Sequence, residues 1–320
     1  MDGGWVGKFA VETAGLTKRF GRRTVVDHVD LRVPRGSAFG YLGPNGAGKT
    51  TTIRMLLGLT AADDGEMRLL GRVVPAERSS ALVRVGAIVE EPKFLDYLTG
   101  RENLRVIAAV REPEAHGRID GVLERVGLRD RADDRVGRYS TGMRQRLGVA
   151  RCLLADPDLL ILDEPANGLD PAGIQEFRQM VRALVDEGRT VMLSSHLLDE
   201  VEKVCDEVAI VDRGRVVAQG SIAELSADGV QSVVLRASES GRGLALLSGH
   251  PAVHSVEENG TGIRAVLGQV SPSEARSVAA DLNRRLVEGG VDVFEIELPR
   301  ATLEERFLEI THRMQEEVPA

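Results

Sequence analysis

The chain has 320 residues, with 41 Lys plus Arg against 49 Asp plus Glu, a formal charge of −8. That length corresponds to about two domains at roughly 150 residues each, and 42% hydrophobic with 28% charged residues is an ordinary globular composition. The acidic balance argues against wholesale nucleic-acid binding. Two cysteines, Cys152 and Cys205, exclude a disulfide framework or a four-thiolate metal site, and no apolar run approaches the ~18 residues that cross a bilayer.

The first residues, Met-Asp-Gly-Gly-Trp-Val, carry no basic stretch before an apolar core, so no secretory leader is expected there. Ser37–Leu42 is a short apolar run that ends in a Gly-rich turn. It is followed by a helical pattern with Ile53, Leu56 and Leu57 on one face. Thr99-Gly-Arg-Glu102 is a capping box that opens another helix. Met143, Leu147, Ala150, Leu153 and Leu154 share one helical face. Leu159–Leu162, Thr190–Leu193 and Val208–Val211 are apolar throughout, as strands of a parallel sheet covered on both faces must be. Asp170-Pro171 places a capping side chain before a proline at the first helical position. Asp-Arg-Gly followed by Val216-Val217-Ala218 turns the last of these strands into a hairpin. The pattern predicts an α/β domain with a mostly parallel sheet over residues 1–225.

Ser226-Ala227-Asp228-Gly229 reads as a linker. Beyond it, residues 231–237, Gly262–Leu267 and Val291–Glu297 read as strands. Ser271-Pro-Ser-Glu274 opens a helix that runs to about Val287, and Thr302-Leu303-Glu304-Glu305 opens a final one. Residues 226–320 are therefore expected to form a small α+β accessory domain. The two cysteines lie in apolar stretches and read as small buried hydrophobes.

Gly43-Pro44-Asn45-Gly46-Ala47-Gly48-Lys49-Thr50 fits the phosphate-loop pattern G-x-x-x-x-G-K-[ST], between a predicted strand and a predicted helix. The glycines let backbone N–H groups converge on a phosphate, and the helix N-terminus adds partial positive charge. Lys49 can set an ammonium against the β- and γ-phosphates, and Thr50 can offer a hydroxyl to Mg²⁺. Thr51 completes the nucleotide-binding segment. Downstream, Asp163 and Glu164 end an apolar strand, where ligand crevices of open α/β sheets lie. Asp163 is the expected Mg²⁺ group, and Glu164 the residue that polarises an attacking water or takes its proton. Because a strand points neighbouring side chains to opposite sides, the two acids are expected to part by strand alternation.

Between these motifs lies Tyr139-Ser140-Thr141-Gly142-Met143-Arg144-Gln145-Arg146-Leu147; after them come Ala166-Asn167-Gly168-Leu169-Asp170-Pro171 and Ser194-Ser195-His196. With these segments in order, the chain closely resembles the ABC transporter ATPases over residues ~8–225. The resemblance implies a P-loop NTPase fold, ATP with Mg²⁺, and ATP hydrolysis in which Lys49, Glu164 and His196 take part. It implies that Ser140 and Gly142, in a signature reading Tyr-Ser-Thr-Gly-Met where the family usually has Leu-Ser-Gly-Gly-Gln, contact the γ-phosphate held by a second subunit. It further implies that Phe20 stacks on adenine, that His196 contacts the γ-phosphate, and that Asp170 crosses the dimer interface. In Val85-Gly86-Ala87-Ile88-Val89-Glu90-Glu91-Pro92, Glu90 stands where the family normally has Gln. A carboxylate there can still hold Mg²⁺ or a water, but it adds charge near the triphosphate.

Glu90, Thr-Gly-Arg-Glu-Asn-Leu after it, and the ending Ala-Thr-Leu-Glu-Glu-Arg-Phe-Leu-Glu-Ile-Thr resemble the bacitracin-export branch of multidrug ABC ATPases. That branch implies a homodimer closed through nucleotide, a separate multispanning membrane permease, a peripheral position on the cytoplasmic face of the membrane, and export of a drug, antibiotic or lipid-like compound. The alternative is an ABC-type regulatory or remodelling ATPase not coupled to transport. A nucleotide kinase or GTPase shares the phosphate loop but lacks counterparts of Ser140 and His196.

Overall fold

The computed structural model describes residues 7–111, 114–227, 232–260, 262–268 and 270–299, together with Leu303 and Phe307. The chain divides into two compact units, the break falling between Ser221 and Ile222. Ser226 and Ala227 close a short helix, Ile222–Ala227. Asp228 and Gly229 of the expected linker lie outside the described residues, as do most of the expected final helix and tail.

The first unit carries two sheets. Strands β1 (Phe9–Phe20) and β2 (Arg23–Pro34) pair antiparallel. With β4 (Asp64–Leu69) and β5 (Arg72–Val74) they make a sheet of order β2-β1-β4-β5. The second sheet is built on the apolar runs. β3 (Ala38–Leu42), β6 (Val85–Ile88), β7 (Leu159–Leu162), β8 (Thr190–Ser195) and β9 (Glu207–Asp212) are parallel, and β10 (Arg215–Ser221) adds antiparallel to β9. The order is β10-β9-β3-β8-β7-β6. Every residue of β3, β7 and β8 is buried, as burial on both faces of a parallel sheet requires. One continuous core joins Phe39 and Tyr41 of β3, Leu159 and Ile161 of β7, and Ile53 and Leu56 of the helix Lys49–Leu56 to the inner residues of β1 and β2.

Helices begin where the sequence supplies caps. Thr99 Oγ1 accepts from the Glu102 N–H and the Glu102 carboxylate accepts from the Thr99 N–H, a complete capping box for the helix Gly100–Ala108. Asp170 caps the helix Pro171–Asp186 through the Gly173 N–H at 2.9 Å. The helix Thr141–Leu153 buries Leu147, Ala150 and Leu153, packs against β6, and contacts the helices Gly100–Ala108 and Ile119–Arg125. Strand order places the C-terminal ends of β3, β7 and β8 side by side, with the loops carrying Gly43–Gly48, Asp163–Glu164 and His196 following directly.

The second unit is an antiparallel sheet of order β12-β13-β11-β14, from β11 (Ser232–Ala237), β12 (Val253–Asn259), β13 (Gly262–Leu267) and β14 (Val293–Glu297). The helices Ser240–Leu247 and Pro272–Glu288 pack on it, and Val233, Leu235, Ile263, Ala265, Leu282 and Leu286 form its own core. Ser271 caps the second helix in the expected capping box. Among the described residues no helix is long and apolar enough to cross a membrane.

Candidate functional site

The loop between β3 and the helix Lys49–Leu56 is shaped by two backbone constraints. Gly48 adopts φ +100°, and a Cβ there would lie 2.6 Å from the Val25 carbonyl oxygen. A Cβ on Gly43 would collide with the carbonyl oxygen of Val211. Only glycine fits either place, and the chain therefore passes close under the loop. No side chain caps the N-terminus of the helix, and its first turn carries no acid. The orphan N–H groups and the positive end of the helix dipole are thus left facing the cleft, the arrangement that binds a phosphate anion. Behind the loop, the Tyr41 hydroxyl donates to Thr52 Oγ1 at 3.3 Å, and Thr52 Oγ1 donates to the Gly48 carbonyl at 3.1 Å. Burial pushes the Tyr41 phenol up to about 12, so it stays a proton donor in this brace.

Lys49 is 5% exposed, and its ammonium is held by the carbonyls of Gly43 at 2.6 Å and Pro44 at 3.3 Å. Its third neighbour is Glu164 Oε1 at 3.1 Å. The other oxygen of Glu164, Oε2, lies 2.9 Å from His196 Nδ1. One carboxylate thus ties the phosphate loop, the end of β7 and the end of β8 together. Asp163 is 5% exposed and accepts from the Ser194 hydroxyl at 2.5 Å, and Ser194 Oγ accepts from the Glu164 N–H at 2.9 Å.

The two acids do part, but not by strand alternation. β7 ends at Leu162, and Glu164 has φ +48°, the left-handed region. That turn, pinned by Ser194, sends Glu164 toward Lys49 and His196 while Asp163 stays buried against Ser194.

A cleft of ≈ 360 Å³ runs over the loop, lined by Phe20, Arg23, Val25, Pro44, Asn45, Gly46, Gly48, Lys49, Thr50, Thr51 and Glu164. Ala47 is buried beneath it, its N–H donating to the Pro44 carbonyl at 3.2 Å. Phe20 is 54% exposed at the end of β1, with Lys18 Nζ 5.4 Å from its ring centroid. Ser140, Gly142 and Asp170 do not line this cleft. Ser140 is exposed and caps the helix Thr141–Leu153 by accepting from the Met143 N–H at 3.2 Å. Glu90 lines a neighbouring cavity of ≈ 530 Å³ with Asp163, Glu164 and Thr141, and it forms an ion pair with Arg54. The sequence assigns no role to Ser194, Arg23, Arg54 or the Tyr41–Thr52 brace. Ser194 sits in the Ser-Ser-His run, and that hydroxyl beside a strand end was its one signal.

Thr50 lines this cleft and Asp163 the neighbouring cavity, and both offer hard oxygen donors, the chemistry that suits Mg²⁺ shared with a triphosphate. Among the described residues no group of three or more His, Cys, Asp or Glu is placed to hold a metal by itself.

Residues 26–167 match the ABC transporter family model. The chain is 38% identical over 301 residues to the bacitracin transport ATP-binding protein BcrA of Bacillus licheniformis, covering 94% of this chain and 96% of that one. It is 36% identical to the daunorubicin resistance ATP-binding protein DrrA3 of Streptomyces coeruleorubidus, over 94% and 96% of the two chains. Among solved structures, the ATP-binding subunit of an ABC transporter aligns with a TM-score of 0.60 at 30% identity, covering 68% of this chain and 91% of that one.

Proposed function

The chain belongs to the ABC transporter family of ATP-binding proteins, and from that premise we propose that it hydrolyses ATP to drive a separate membrane permease that exports an antibiotic-like or lipid-like compound. The observation that carries the reading is the Glu164 carboxylate, 3.1 Å from Lys49 and 2.9 Å from His196 at the mouth of the phosphate-loop cleft.

In this reading the uncapped helix end and Lys49 take up the charge of the β- and γ-phosphates. Glu164 orients the attacking water and accepts its proton, with His196 holding the carboxylate. Phe20 and Val25 offer apolar surface to the base. Mg²⁺, held by Thr50 and Asp163, would neutralise charge building on the phosphoryl oxygens. Glu90, which lines the neighbouring cavity with Asp163, could hold a water of that ion.

The signature residues Ser140 and Gly142 do not line the cleft of their own chain. They are read as completing the γ-phosphate site of a second copy, with Asp170 at the same interface. A symmetric pair gives each nucleotide one phosphate loop and one signature helix. No described helix can cross a membrane, so work on a membrane is assigned to a partner at the cytoplasmic face. The named relatives act in bacitracin transport and daunorubicin resistance, which supports export of a drug-like compound by this chain too.

The test is steady-state phosphate release with MgATP, followed by co-purification with a multispanning protein from membranes. ATP-dependent turnover and such a partner are expected. ATP binding without turnover would favour a regulatory ATP sensor instead.

A further inference from the structure

Arg54 and Glu90 come from segments far apart in sequence, yet their side chains form a close ion pair. Arg54 sits in the last turn of the phosphate-loop helix, two residues before its end at Leu56. Glu90 follows β6 and adopts φ +65°, a backbone region that a residue with a Cβ occupies at a cost. The cavity that Glu90 lines also holds Glu91, Asp163 and Glu164, and Glu164 in turn lines the phosphate cleft. An added carboxylate in that acidic company would repel a triphosphate.

We propose that Arg54 is a positioning residue that neutralises Glu90 and so lets this carboxylate stand beside the nucleotide without weakening its binding. The pair is exposed on both sides, so its own contribution to folding is small. Its consequence lies in the charge presented to the nucleotide. A single unpaired charge at about 10 Å from a triphosphate shifts binding by roughly three- to tenfold at low ionic strength. This inference rests on the reading of the phosphate-loop cleft as the ATP site.

The experiment measures the Kd of a ribose-labelled fluorescent ATP in EDTA, for the full chain and for Arg54→Gln, Arg54→Lys, Glu90→Gln and the Arg54→Gln/Glu90→Gln double variant. Arg54→Gln is expected to weaken binding roughly three- to tenfold in dilute buffer, and the loss to shrink at about 0.5 M salt. Arg54→Lys, which keeps the charge, stays near the parent value. Removing both charges together restores it. An unchanged Kd in Arg54→Gln overturns the proposal. So does a double variant as weak as Arg54→Gln, because Arg54 would then act without Glu90. A parent chain that binds no ATP overturns the proposed function and this inference with it; a chain that binds ATP but shows no restoration overturns this inference alone.

Discussion

His196 Nδ1 stands 2.9 Å from Glu164 Oε2, while Glu164 Oε1 stands 3.1 Å from the Lys49 ammonium. The carboxylate is therefore shared between the ammonium of the phosphate loop and an imidazole at the adjoining strand end. Glu164→Gln keeps the shape but removes the proposed base. Turnover should fall by about 10²–10⁴, while ATP binding persists and the bound state accumulates as a dimer. Phosphate release and size-exclusion chromatography with ATP check both parts. Undiminished hydrolysis would sink the catalytic assignment of Glu164.

Glu90→Gln removes one charge and keeps the length of the side chain. Arg54 remains to hold the amide oxygen, so the loop should keep its place. Steady-state turnover is expected to stay within roughly tenfold of the parent, a change of about 1.4 kcal/mol or less in the barrier. Complete loss of activity would assign the Glu90 carboxylate a chemical role of its own.

Gly48→Ala and Gly46→Ala separate strain from collision. Both glycines have positive φ, +100° and +83°. A Cβ at Gly48 meets the Val25 carbonyl oxygen at 2.6 Å, whereas one at Gly46 meets nothing within 4 Å. Gly46→Ala should cost about 1–2 kcal/mol from the backbone alone. Gly48→Ala should cost about 1–3 kcal/mol more through displacement of the loop, and it should abolish ATP binding. Urea midpoints and nucleotide titration measure the two costs; equal midpoints would show that the loop gives way at Val25.

Which parts of the molecule could be read from the chain follows from how local their causes are. β3, β7 and β8 are legible because both faces are buried, which writes an unbroken apolar run into adjacent residues. The phosphate loop is legible because its glycines and Lys49 are contiguous. β1 and β2 are not, because register shifts between Thr13 and Leu16, and again before Lys18, break the period-two pattern. The helix Ser240–Leu247 hides behind Gly241 and Gly243, which weaken a helical pattern. The left-handed turn at Glu164 and the Ser194–Asp163 hydrogen bond depend on a strand some thirty residues away. The Arg54–Glu90 pair joins two surface residues whose neighbours give no sign of each other.

The two thiols provide a check on the core of the first unit. Cys152 and Cys205 are each 4% exposed. The Cys152 thiol faces the Ala87 carbonyl at 3.5 Å, and burial pushes its pKa up to about 11. Burial also raises that of Cys205, with Asp206 adding to the effect. The thiolate is the reactive form, so at pH 8 both groups are protonated as well as enclosed. A chromogenic disulfide reagent should find neither thiol in the folded chain at pH 8 and both in concentrated urea. Slow labelling of the folded chain then reports transient opening rather than titration. Saturating ATP should retard it, since a ligand that binds only the folded form lowers the population of the open one. A thiol that reacts at once in the folded protein would contradict the packing of the helix Thr141–Leu153 on β6 or of Cys205 beneath β3.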